Sequence, residues 1–373
     1  MSLSTTSRAS GFTLLELMTG LAVSSVVLVG VAAAVIGQSR AYEANARTRE
    51  AVASARRGLS FMESKVKLAG YGIHPQLAFD VVGADSATGP DRLVIRYRDP
   101  MFRRRGSLNP AGTTLTLDAP ALSVALKQGQ ILMLICPDGS SSAYVSVSTE
   151  APATASAVAL APGKGPAGPT GLDNFPNQQP SGCLLQTAAD TKPFVVKVDQ
   201  YQFDVIVAPN PLQNTLQMTR LGDAATPVIT GVEDFQVAYV MNRPDPSWGI
   251  ALMPVAVDAP PATNWVFGDA LGVPEVPNGP AAPPALSVGY RDPSRFTNVV
   301  ANIRGVRLSL VTRSDREFKE FQRPHLAVEN HPAGPGKDGY FRTAISTQVA
   351  VPNMAGRSLF APVSNLSDSL GGG

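Results

Sequence analysis

Charge is scarce in this chain: 16% of its 373 residues are Asp, Glu, Lys or Arg, and the net charge is +2. A balance this close to neutral gives nucleic acid no basic surface to grip, so no nucleic-acid partner is expected. Histidine is scarcer still. His74, His325 and His331 are the only three, and none has a second ligand at the H-E-x-x-H spacing of a zinc site. No G-x-S-x-G elbow and no G-x-x-x-x-G-K-[ST] phosphate loop occurs. No Asp-rich loop has EF-hand spacing. The expectation is a non-enzymatic chain without metal or cofactor. Cysteine is limited to Cys136 and Cys183. A lone pair in an exported bacterial domain is a disulfide candidate, because that compartment is oxidising; spacing alone fixes no distance between them.

Proline is absent before Pro75, although the chain holds 32. That leaves a long segment in which nothing breaks a helix. Its first part, Leu17 to Gly37, is apolar and uncharged, and about 20 such residues span a bilayer. Near Arg40 the composition turns to Ala, Glu and Arg. Ala51, Val52, Ala55, Leu59, Met62 and Val66 then recur at spacings of three and four, the mark of one apolar helix face. Gly70-Tyr71-Gly72 supplies a C-terminal stop. Fifty-odd helical residues would reach on the order of 85 Å, a length that makes sense only if the first half sits in a membrane or filament core.

Before the apolar run stands Gly11-Phe12-Thr13-Leu14-Leu15-Glu16, preceded by a polar leader whose only charged side chain is Arg8. A carboxylate just inside an apolar segment costs roughly 2.5–3.5 kcal/mol at a helix centre and calls for a partner. An ordinary signal peptide fits poorly, since its apolar region runs about 7–15 residues. The hexapeptide resembles the processing site of type IV prepilins. The resemblance implies cleavage after Gly11 by a prepilin peptidase and methylation of the new N-terminal Phe12. It implies that Glu16 pairs with an N-terminal ammonium during subunit assembly.

Beyond Ile73 the pattern changes to strands. Arg92–Tyr97, Thr113–Leu117, Ile131–Ile135, Ala143–Ser148, Val195–Val207 with a bend, Leu216–Thr219, Val232–Val240, Val306–Val311 and Tyr340–Val351 are predicted, several alternating apolar with polar. Two low-complexity stretches, about 162–182 and 254–293, read as long loops. The second embeds Trp265 and Phe267, aromatics that either contact a partner or pin the loop to the core. Arg103-Arg104-Arg105 follows Asp99-Pro100 and reads as a solvated turn, with an acidic or lipid-headgroup contact as the alternative.

Several stretches resemble the PilW family of type IV minor pilins. They are Leu68-Ala69-Gly70-Tyr71-Gly72, the strand from Gly231 to Tyr239, the strand from Val306 to Arg313, and Phe341 to Asn353, where Pro352 departs from the usual ending. The middle, about Asp99 to Pro193, carries no such match. The resemblance implies an α+β, pilin-like fold: a leader (1–11), a long N-terminal helix (12–70) whose first half (12–37) is membrane-embedded, and a large, mainly antiparallel β-domain (71–373). It implies an inner-membrane subunit with its globular part in the periplasm, later placed in the pilus, at the tip. The implied partners are other minor pilins, the major pilin, a tip adhesin and the inner-membrane assembly machinery. Together they prime pilus assembly and support adhesion and twitching motility. The alternatives are a J-type pseudopilin of type II secretion, which shares the N-terminal motif, and a tip-located adhesive binding module.

Overall fold

The computed structural model describes residues 13–354, apart from 82–83, 85, 87–88, 139–141, 162–181, 210–213, 243–265, 268–299, 319–321 and 330. Helix α1 runs from Leu14 to Val66. The described residues up to Glu50 include none that is buried, and the apolar side chains from Leu14 to Ile36 stand exposed. By length and composition this segment can cross a membrane. From Ala51 onward the helix buries Ala51, Ala55, Gly58, Leu59, Met62 and Val66, one stripe at helical spacing. It stops where Gly70 and Gly72 adopt left-handed φ values of +79° and +65°, a conformation that costs glycine little. A Cβ on Gly70 would sit 2.7 Å from the sulfur of Met354, so the close packing there also needs glycine.

The strands form one large and one small antiparallel sheet. The large sheet contains β1 (Leu93–Leu108), β2 (Thr114–Leu117), β3 (Ile131–Ile135), β4 (Ser142–Ser146), β5 (Ala157–Ala159), β6 (Phe194–Ile206), β7 (Thr215–Arg220) and β8 (Thr226–Thr230). Six of these follow one another in the order β4-β3-β6-β1-β2-β5. The two ends then meet. Ser148 N–H donates to Ala159 O and Ala161 N–H to Ser146 O, both at 2.9 Å, and Val147 bridges Leu160. The six strands therefore close into a small ring filled by Leu108, Leu115, Leu132, Leu134, Val145, Val158 and Val195.

The smaller sheet has the order β10-β9-β11-β14, with β9 at Val232–Met241, β10 at Val266–Phe267, β11 at Ile303–Arg313 and β14 at Arg342–Ala350. A two-residue hairpin, β12 (Arg323–Pro324) with β13 (Lys337–Asp338), lies between β11 and β14 in the chain. The main core joins Ala55, Leu59, Met62 and Val66 of α1 to Tyr201 and Phe203 of β6, Phe235, Val237 and Tyr239 of β9, and Leu308 and Leu310 of β11. A third cluster, Ile73 and Leu77 against Met133, Tyr144, Val196 and Val198, covers the other face of β3 and β6. Strand β6 is thus buried on both faces, which explains its nearly continuous apolar start. The architecture is the expected one: a long apolar N-terminal helix packed, from Ala51 on, against mainly antiparallel sheet.

Two strand expectations need correction. β6 is one continuous strand, Phe194–Ile206, and stops one residue before Val207. β1 does not stop at Tyr97 but runs to Leu108 through Asp99-Pro100. Between the pairs Arg98–Val198 and Arg103–Val196 it advances five positions while β6 advances two. The excess bulges outward, leaving Met101 90% exposed, and a bulge is where a strand tolerates proline.

Candidate functional site

The residues expected to carry assembly sit at the start of α1. Glu16 is exposed, and its Oε2 accepts from the backbone N–H of Thr13 at 3.1 Å and from the Thr13 hydroxyl at 3.0 Å. In return Glu16 N–H donates to Thr13 Oγ1 at 3.2 Å. This is a reciprocal capping box: two orphan donors at the helix start are satisfied by two side chains three residues apart. Thr13 was not singled out above, yet the signal was legible as T-x-x-E immediately before an apolar run. Glu16 therefore has a local role as well as an expected intermolecular one. Gly11 and Phe12 lie outside the described residues.

In the β-domain, Cys136 and Cys183 are joined as a disulfide, with Cα atoms 5.8 Å apart and a sequence separation of 47. The bridge ties the end of β3 to a short 3-10 turn at Gly182–Leu185, so the chain re-enters the ring core beside Leu184. Trp265 lies outside the described residues. The backbone of Phe267 is in β10, paired with Tyr239 of β9. The 162–182 and 254–293 loops also fall outside the described residues, save Gly182 and Val266–Phe267.

The arginine triplet is not a solvated turn. Arg103 and Arg105 belong to β1, and each places its guanidinium 4.4 Å from the ring centre of Phe194. Arg105 also donates to Ala189 O at 2.6 Å. The cations are engaged by an aromatic face and a carbonyl. No group of side chains among the described residues is arranged to hold a metal ion.

Two family models match the chain. The type IV pilus-assembly protein W family, PilW, matches residues 194–353, and the prokaryotic N-terminal methylation motif matches residues 6–32. Over these two segments the chain is similar to PilW-family type IV pilins. Among solved structures it is similar to a type IV-like pilin from Thermus thermophilus, at 15% identity and a TM-score of 0.22, over 62% of this chain and 87% of that one. Among curated proteins no relative matches.

The stretch matched by the PilW model begins at β6 and ends at the turn after β14. The buried charges inside it are paired. Lys197 Nζ lies 2.7 Å from Asp99 and 3.3 Å from Asp199, and Arg220 lies 2.8 Å from Asp199. Burial opposes the Asp99 charge, but hydrogen bonds from Lys197 and the Met101 N–H, with Arg220 nearby, hold its carboxyl below the ordinary range. Two cations face two anions, so the group cements the sheet rather than presenting a charge. The histidines are engaged as well. His325 Nδ1 is 2.8 Å from Glu233 and His331 Nδ1 is 2.5 Å from Asp234. These partners lie more than ninety residues away in sequence, beyond the reach of any local motif. His74 Nδ1 accepts from Gln76 N–H at 3.2 Å, and burial lowers its pKa to about 4.

Proposed function

We propose that this PilW-like pilin is a minor subunit that, with other minor pilins and a tip adhesin, primes type IV pilus assembly and remains at the pilus tip, where it supports adhesion and twitching. The observation that carries the reading is the N-terminal segment. A methylation-motif match over residues 6–32 coincides with an exposed, membrane-length apolar helix whose first turn bears Glu16.

In this reading a prepilin peptidase removes residues 1–11 and methylates Phe12. The subunit is stored in the inner membrane by residues 12–37, within a helix counted to residue 70, with residues 71–373 in the periplasm. On assembly the apolar helix exchanges lipid for neighbouring helices, and Glu16 exchanges its cap for an N-terminal ammonium. In hydrocarbon such a pair removes the cost of an isolated carboxylate. The role is structural rather than enzymatic. Trp265 and Phe267 are proposed partner contacts.

The test is mass spectrometry of the mature N-terminus from membrane and sheared-filament fractions. The expected result is a chain beginning with methyl-Phe12, lost in Gly11→Ala. An intact Met1, or a cut near Ala34, would end the pilin assembly reading. A deletion strain should make several-fold fewer pili. Normal pilus number with lost attachment would instead favour a purely adhesive role.

A further inference from the structure

The small sheet ends in β14, and among the described residues β14 pairs only with β11. Nine consecutive pairs, Gly305–Ala350 through Arg313–Arg342, run without a register shift. The direction of its backbone groups can be read from the flanking bonds. Val351 N–H donates to Arg304 O at 2.9 Å and Ser314 N–H to Phe341 O at 2.8 Å. Alternation along an antiparallel ladder then points the N–H groups of Thr343, Ile345, Thr347 and Val349 at β11. Those of Ala344, Ser346, Gln348 and Ala350 point away, and these four residues are all exposed.

Three other described strands, β5, β8 and β9, are guarded. The ring closes β5 onto β4. β8 carries Pro227 and a register shift in its pairing with β7. β9 is met by β10 and by Asp91, whose N–H donates to Phe235 O at 2.7 Å. β14 has no proline, no lysine, no acid and no bulge. Its single charge, Arg342, is bound to Glu233 and Asp338. A long, uncharged, regular edge presents a row of backbone donors and acceptors to any extended chain. Nine residues offer about 30 Å of it.

We propose that β14 is a docking edge that takes an extended strand from a neighbouring pilin-type subunit by β-augmentation. The backbone row dictates an extended occupant. Its source follows from where the edge lies. Val349 and Ile345 pack into the same cluster as Ala55, Leu59 and Met62 of α1, so the edge is continuous with the helix through which pilins assemble. This rests on the assembly reading above. The incoming strand continues the row Thr343, Ile345, Thr347, Val349 with β-branched or apolar residues, and the opposite row with small or polar ones.

The test places the photo-crosslinker p-benzoylphenylalanine at Ala350 of the full-length chain in piliated cells, with a control at Lys127 in the ring region. The expected result is a crosslink at position 350, and not at 127, to a second chain whose peptides identify a prepilin-type N-terminal motif. Ala344→Pro with Gln348→Pro removes two outward N–H donors while leaving the β11 ladder intact, and should cut that crosslink at least tenfold. Should the proline pair lose the wild-type melting transition, Ala344→Lys with Gln348→Lys keeps every backbone bond and should cut it similarly by charging the edge. An unchanged crosslink in a folded double variant would overturn the proposal. So would a crosslink only within the same chain, or none at all, when the wild type carries methyl-Phe12 and is present in filaments; the pilin reading would then stand alone. Absence of methyl-Phe12 would remove both.

Discussion

The ring and the small sheet are built from similar strands but end differently. In the ring each strand has two neighbours, and the last returns to the first. In the small sheet the nine residues of β14 pair on one side only, with β11, among the described residues. Closure abolishes edges and with them the risk of stray pairing. Leaving one edge regular, uncharged and exposed in the same molecule is therefore informative. The ring is organised for persistence, and the small sheet retains a surface that can pair.

The largest test of this contrast is the disulfide. Cys136→Ser with Cys183→Ser opens a loop of 47 residues, which by loop entropy should cost about 4 kcal/mol. Denaturant unfolding should show this loss, and hydrogen exchange should accelerate first in β2 to β5. Uniform acceleration across β9, β11 and β14 would show that the ring is not a separately tuned part.

A second test uses the joint between the regions. His74 N–H donates to the Tyr144 hydroxyl of β4 at 2.7 Å, while Gln76 Oε1 accepts from Ala301 N–H, just before β11, at 3.1 Å. Burial lowers the His74 pKa from 6.5 to about 4. The unfolded chain therefore binds the proton first. The His74 contribution is fully present above about pH 6.5, is lost as pH falls towards 4, and totals about 3 kcal/mol. His74→Asn should flatten that part of the stability profile. An unchanged difference between wild type and variant from pH 7 to pH 4 would contradict it.

Smaller effects refine the picture. Arg103→Ala and Arg105→Ala each remove a cation from the Phe194 face, and each should cost about 0.5–1 kcal/mol in melting experiments. Loss of protein–lipid binding at unchanged stability would revive the headgroup alternative. Thr13→Ala removes half of the capping box and should cost about 1 kcal/mol locally. It should be visible as faster exchange of the first-turn amides in detergent, with the ring and the small sheet unaffected.

Much of this architecture was legible in residue order. The alternation in Val232–Val240 and Val306–Val311 placed β9 and β11, and Ile131–Ile135 placed β3 to the residue. The helix stripe from Ala51 to Val66 was read with only Val52, half-buried, in excess, and without Gly58. What escaped was short or non-local. β5 has three residues and β8 contains Pro227, so neither offers a period to detect. The far half of β1 was hidden because Asp99-Pro100 is a turn signal that a bulge absorbed. Ring closure depends on Val147 meeting Leu160, a contact no local pattern announces. At the helix start Glu16 drew notice through its charge, whereas its partner Thr13 is an unremarkable residue until the i, i+3 spacing is counted.

β6 lies across a boundary that its sequence does not mark. On a single face of this strand Val195 fills the ring, Lys197 and Asp199 hold the ionic group, and Tyr201 and Phe203 support α1. Both cores are anchored on this one ladder, so ring and helix platform should melt together on heating, even where the ring strands open locally first. Traction on the helix would then be carried by a beam common to both cores.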